Sequence, residues 1–120
     1  MPPASDGGIP GFYLSREQAG DVPVLCVGGE LDLHAAPDLR GAFDQLIGED
    51  VPGLVLDLTE STFIDSTALG AIAGAHRRLG EGRLAIVCTN EHVLRIFGYA
   101  RMDELLSIHE KREDALASLR

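Results

Sequence analysis

The sequence predicts a single α/β domain, with a mixed, mostly parallel sheet of about five strands and about four helices packed against it. Three observations lead there. Apolar runs of strand length alternate with segments of helical periodicity from Phe12 to Leu119. The connections between them are short and rich in Gly, Pro and Asp, which suits crossovers between neighbouring elements. With 120 residues the chain has too little apolar surface to fill two cores. Its 45% hydrophobic and 24% charged residues are those of a folded globule rather than a disordered chain.

Residues 1–11, Met-Pro-Pro-Ala-Ser-Asp-Gly-Gly-Ile-Pro-Gly, read as a flexible tail ahead of a domain at 12–120. They have neither the positive start nor the apolar stretch of a secretory signal. Phe12 to Gln18 and Val24 to Val27 flank the turn-forming Ala19-Gly20-Asp21, which predicts a hairpin. Pro37 suits a first helical turn, and Leu39, Ala42, Phe43, Leu46 and Ile47 recur at helical spacing, so a helix is predicted over about 37–47. Leu54 to Leu58 is a nearly continuous apolar run after Pro52-Gly53, as in strands buried on both faces.

The polar stretch Thr59-Glu60-Ser61-Thr62 then leads to Phe63-Ile64-Asp65-Ser66-Thr67. From there Leu69, Ile72, Ala73, His76 and Leu79 form one apolar stripe, predicting a helix from about Ser66 to near Gly80. Leu84 to Val87 is the next strand, and Val93, Leu94 and Phe97 mark a short helix closing at Gly98. Leu105 to His109 and Asp114 to Leu119 predict a last short strand and helix.

Ten basic against nineteen acidic residues give a formal charge of −9. That balance opposes the phosphate contacts behind most nucleic-acid affinity, and anionic lipid would repel it too. No apolar stretch approaches the ~20 residues of a membrane span. The expectation is a cytoplasmic protein with no direct nucleic-acid or membrane partner. Cys26 and Cys88 lie in apolar runs and read as buried, reduced thiols. The histidines and cysteines lack zinc spacing, and neither Gly28-Gly29 nor Gly80-Glu81-Gly82 has a P-loop ending, so no metal or cofactor is expected. No Gly-x-Ser-x-Gly elbow surrounds Ser66, and His76 belongs to an apolar helix face, which argues against a serine hydrolase.

The informative segment is Ile64-Asp65-Ser66-Thr67-Ala68-Leu69, where small hydroxyl residues are presented at a helix start. Unpaired backbone N–H groups and the helix dipole would tolerate a phosphate there. Asp65 or Ser66 could equally be an ordinary N-cap. A second acidic segment, Gly29-Glu30-Leu31-Asp32, leaves the second predicted strand, and the proposed topology could bring it to the same end of the domain. His34 follows it as a further candidate contact.

These paired motifs, Gly29-Glu30-Leu31-Asp32 and Phe63-Ile64-Asp65-Ser66-Thr67-Ala68-Leu69-Gly70, resemble those of the anti-sigma-factor antagonists of the STAS domain family. The resemblance runs from about Phe12 to Leu119 and includes Leu94-Arg95-Ile96-Phe97-Gly98-Tyr99-Ala100 and Leu105-Leu106. It implies a STAS-type fold and partner switching without catalysis. The unphosphorylated protein would bind an anti-sigma factor with serine kinase activity and so release a sigma factor.

By the same resemblance the phosphoacceptor is Ser66, with Thr67 as second choice, and a serine phosphatase restores the active form. Glu30, Asp32, His34, Asp65 and Thr67 then shape the partner-binding surface. Ala68 departs from the glycine common in the family and favours helix by about 0.8–1 kcal/mol. The alternative is a STAS-type structural subunit of a transporter or stress-sensing assembly with no phosphate cycle.

Overall fold

The computed structural model describes residues 11–119. Strands β1 (Phe12–Ala19) and β2 (Val22–Leu31) form the predicted antiparallel hairpin, in register from Phe12 opposite Gly29 to Ala19 opposite Val22. They are followed by α1 (Ala36–Gly48), β3 (Leu54–Asp57), β4 (Ser61–Ile64), α2 (Ser66–Leu79), β5 (Leu84–Val87), α3 (Glu91–Tyr99), β6 (Ser107–His109) and α4 (Arg112–Ser118). The main sheet has the order β1-β2-β3-β5-β6, and every pairing after the hairpin is parallel.

Period-two alternation in the central strands builds two cores. Leu25, Val27, Leu54, Leu56, Leu84 and Ile86 face α1, α2 and α3, which contribute Leu39, Phe43, Ile72 and Phe97 among others. Val24, Val55, Ala85 and Val87 face the other way, against Ala115 of α4. Burial on both faces is why these strands read as continuous apolar runs rather than alternating ones.

The structure adds a sixth short strand. Thr59 to Thr62 reads as polar linker, yet Ser61–Ile64 forms β4, off the main path, pairing in parallel with the far end of β2. Buried Ser61 explains part of this, because its hydroxyl donates to the Val27 carbonyl at 2.8 Å. Strand β2 also runs on to Leu31, so Gly29 to Leu31 is paired strand rather than exit loop. Helix α3 continues one residue beyond Gly98, and β6 starts at Ser107 rather than Leu105. Of the predicted tail only Gly11 is described, in a turn whose carbonyl accepts from the Glu30 N–H at 2.6 Å; residues 1–10 lie outside the described residues.

Both cysteines are free thiols, but only Cys88 is buried. Cys26 is half-exposed because α4 leaves part of the second sheet face uncovered. Desolvation, then its hydrogen bond to Glu17, pushes the Cys26 thiol up to about 11, so it stays protonated at neutral pH.

On this same face Arg112 ties α4 to the sheet. Its guanidinium donates to Glu17 at 2.7 Å and to Asp57 at 2.9 Å. Burial pushes the Asp57 carboxyl up, but hydrogen bonds from the Thr59 side chain and N–H and from Arg112 outweigh it and hold the carboxyl below its ordinary value. A carboxyl held low in the fold adds stability above its ordinary titration range, near pH ~4, and loses it as pH falls through the folded value. Arg112→Met should therefore lower the unfolding free energy by about 1.5–3 kcal/mol at pH 7, the usual worth of hydrogen bonds to charged groups. Urea titrations of both proteins should show the gap narrowing as the solution is acidified. An equal gap at pH 7 and pH 3 would mean that the ion pair is not its source.

Candidate functional site

The site lies where β2 ends and α2 begins, and it is assembled by backbone geometry. Strand β2 pairs with β3 through Val24–Cys26, then with β4 through Gly29–Leu31, with a register shift between Gly29 and Glu30. Gly29 has φ +83°, and a side chain there would fall onto the Gly11 carbonyl. Glycine is required on both counts. Beyond the shift, Glu30 sits opposite Phe63 and Leu31 opposite Ile64, and the Asp65 N–H donates to the Leu31 carbonyl at 3.1 Å. The two acidic motifs are thereby joined at one end of the domain.

Each motif spends its aspartate on folding. Asp32 Oδ1 accepts from the His34 and Ala35 N–H groups at 3.0 and 3.2 Å, and its carbonyl accepts from Ala35 and Ala36 at 3.0 Å. This local turn starts α1. Asp65 is the N-cap of α2, accepting from the Ala68 N–H at 3.0 Å. The cap is thus Asp65 and not Ser66. Ser66 and Thr67 are the first two helical residues and are both exposed, whereas Ala68 is fully buried against the core. A methyl at position 68 fills space that glycine would leave empty.

Of the other predicted contacts, Glu30 and His34 are exposed on the same end, while Asp32 and Asp65 are half-buried by the bonds just described. Two exposed apolar side chains, from neither set of polar candidates, complete the surface. Leu33 is 59% exposed between Asp32 and His34, and Phe63 is 38% exposed and stacks on His92 of α3, ring centroids 6.1 Å apart at 21°. Leu33 had a legible signal, a leucine isolated in a polar loop. Phe63 had none, because its exposure depends on β4 lying off the main sheet.

The arrangement exposes hydroxyls, carboxylates and apolar side chains on one end of the domain. His76 lies ten residues along α2 from Ser66, about 15 Å at helical rise, so it cannot take a proton from that hydroxyl. Among the described residues no group of three or more His, Cys, Asp or Glu side chains could hold a metal ion. No described helix is long and apolar enough to cross a membrane.

Known proteins share this architecture. An anti-sigma-F factor antagonist, RsfB, of Mycobacterium tuberculosis is 27% identical over 100 residues, covering 82% of each chain. The crystal structure of an anti-sigma factor antagonist from Mycobacterium paratuberculosis superposes with a TM-score of 0.86 at 26% identity, over 93% of this chain and 97% of that one. The Bacillus cell fate determinant SpoIIAA in its phosphorylated form, 22% identical, shares the fold with a TM-score of 0.66 over 91% of this chain and 99% of that one. The family description that matches residues 13–115 is the STAS domain. Sequence, sheet order and the β2–α2 junction agree on one conclusion: this chain belongs to the STAS domain family.

Proposed function

We propose that this chain is an anti-sigma-factor antagonist whose surface around Ser66 docks onto an anti-sigma factor with serine kinase activity, and that phosphorylation of Ser66 ends the docking. The observation that carries the reading is the division of labour at the start of α2. Asp65 caps the helix, so the exposed Ser66 hydroxyl is not committed to holding it. The names of the relatives support the antagonist role, and SpoIIAA provides a family member with a phosphorylated form.

In this mechanism the chain is ligand and substrate, and catalysis belongs to the partner. Leu33 and Phe63 supply apolar contact area, while Glu30, His34 and Thr67 supply polar contacts around it. Asp32 and Asp65 act by shaping the two loops. Phosphorylation adds about −1.5 to −2 charges beside Asp65 and Glu30, which opposes docking through charge and bulk without refolding the domain. A serine phosphatase would reset the switch.

Incubation with the cognate kinase and ATP should add one phosphate, and peptide mapping should place it on Ser66. Modification confined to another residue removes the central claim. Ser66→Ala should bind the anti-sigma factor constitutively, and Ser66→Asp should bind at least tenfold more weakly; equal affinities for these two variants and the wild type would refute the switch. Co-purification with a transporter or scaffold, and no kinase, would instead favour a structural subunit. Leu33→Ala should weaken partner binding about tenfold in calorimetry, as expected for loss of an apolar anchor, while leaving the urea midpoint within error. An unchanged affinity would place Leu33 outside the interface.

A further inference from the structure

We propose that Arg40 of α1 is the intramolecular counter-ion of a phosphate on Ser66, a role that rests on the reading of Ser66 as phosphoacceptor. The observation is a gap between α1 and α2. Gly70 has no side chain on the exposed surface of α2, and the Arg40 guanidinium occupies that place, with Nη2 3.7 Å from where a Gly70 side chain would begin. Ser66 and Thr67 stand four and three residues before Gly70, so they lie on the same helix face, about 5–6 Å away between Cβ positions. Arg40 is thus parked one helical turn from the Ser66 hydroxyl, and a modest change of its long side chain brings it there.

Arg40 is also uncommitted. Among the described residues Arg78 of α2 pairs with Asp44 of α1, and Arg16 and Arg112 are held by carboxylates, but Arg40 enters no ion pair. The groups nearest the start of α2 are mostly acidic: Asp65 caps it, Glu30 is exposed on the adjoining strand, and Asp32 lies in the adjoining turn. A dianionic phosphate entering that surroundings would draw in a mobile guanidinium, whose planar fork matches phosphate geometry. The pair would hold the phosphate toward the α1–α2 groove and offset part of its added charge. Phosphorylation would then change the docking surface twice, adding an anion at Ser66 and withdrawing a cation from solvent at Arg40.

The test uses the full chain with phosphoserine installed at position 66 during synthesis, so that it does not depend on any kinase. Phosphorus NMR follows the second ionisation of the phosphate, ordinarily near pH ~6. A nearby cation favours the dianion and lowers that midpoint. Arg40→Gln should raise it by about 0.3–0.7 unit, the size of an exposed ion pair, and the difference should shrink in high salt. Arg40→Lys, which keeps the charge, should recover most of the lower value. Titrations of the wild type and Arg40→Gln that superpose at low salt would overturn the role of Arg40 and leave the Ser66 switch standing. Failure of the kinase to modify Ser66 would sink the switch without altering this titration.

Discussion

The site depends on one change of partner in the middle of a strand. Strand β2 begins against β3 and ends against β4, and the exchange occurs at Gly29, where the backbone passes over the Gly11 carbonyl in a conformation that needs glycine. Without that shift Glu30 and Leu31 would not fall opposite Phe63 and Ile64 of β4. The bond from the Asp65 N–H to the Leu31 carbonyl is the last link, fixing the start of α2 to the end of β2. The pairing is set by backbone bonds and by the buried Ser61 hydroxyl, so the exposed side chains on this end are not needed to hold it.

The two faces of the sheet divide their work. The face under α1, α2 and α3 holds the larger core, which anchors α2 through Ala68, Leu69 and Ile72 and so makes a rigid platform for Ser66 and Thr67. The opposite face carries a small apolar cluster under α4, supplemented by the Arg112 ion pairs to Glu17 and Asp57. Between Tyr13, Cys26, Glu60 and Arg112 that face is left as an open groove of about 340 Å³. Arg112, Glu17, Asp57, Thr59 and Cys26 bond to one another on its walls.

Much of this was legible in the sequence, for definite physical reasons. The hairpin followed from the Gly20-Asp21 turn, and α1 and α2 from spacing of apolar residues that one buried helix face requires. That the two acidic motifs could share one end was readable from the expected topology, but the pairing through β4 that joins them was not. What was not legible was β4, because Ser61-Thr62 lacks strand character and is held by a long-range bond to Val27. For the same reason the exposure of Phe63 could not be foreseen. Cys26 looked buried because its neighbours Val24, Leu25 and Val27 are, but alternate residues face opposite sides, and its side is the less covered one. Whether Asp65 or Ser66 capped α2 was open in the sequence, since both residue types serve, and only the geometry assigns the cap to Asp65.

The Asp65 cap has a consequence for how the protein would be recognised. Ser66 is already wound into the first turn of a helix whose buried side is locked to the core. On the proposed reading, an enzyme that modifies it must accept a hydroxyl in helical backbone, flanked by surfaces contributed by β2 and the loop before α1. A short peptide copied from this region would present neither the turn nor the neighbours. Chains still emerging from the ribosome, or misfolded ones, would therefore be invisible to the circuit.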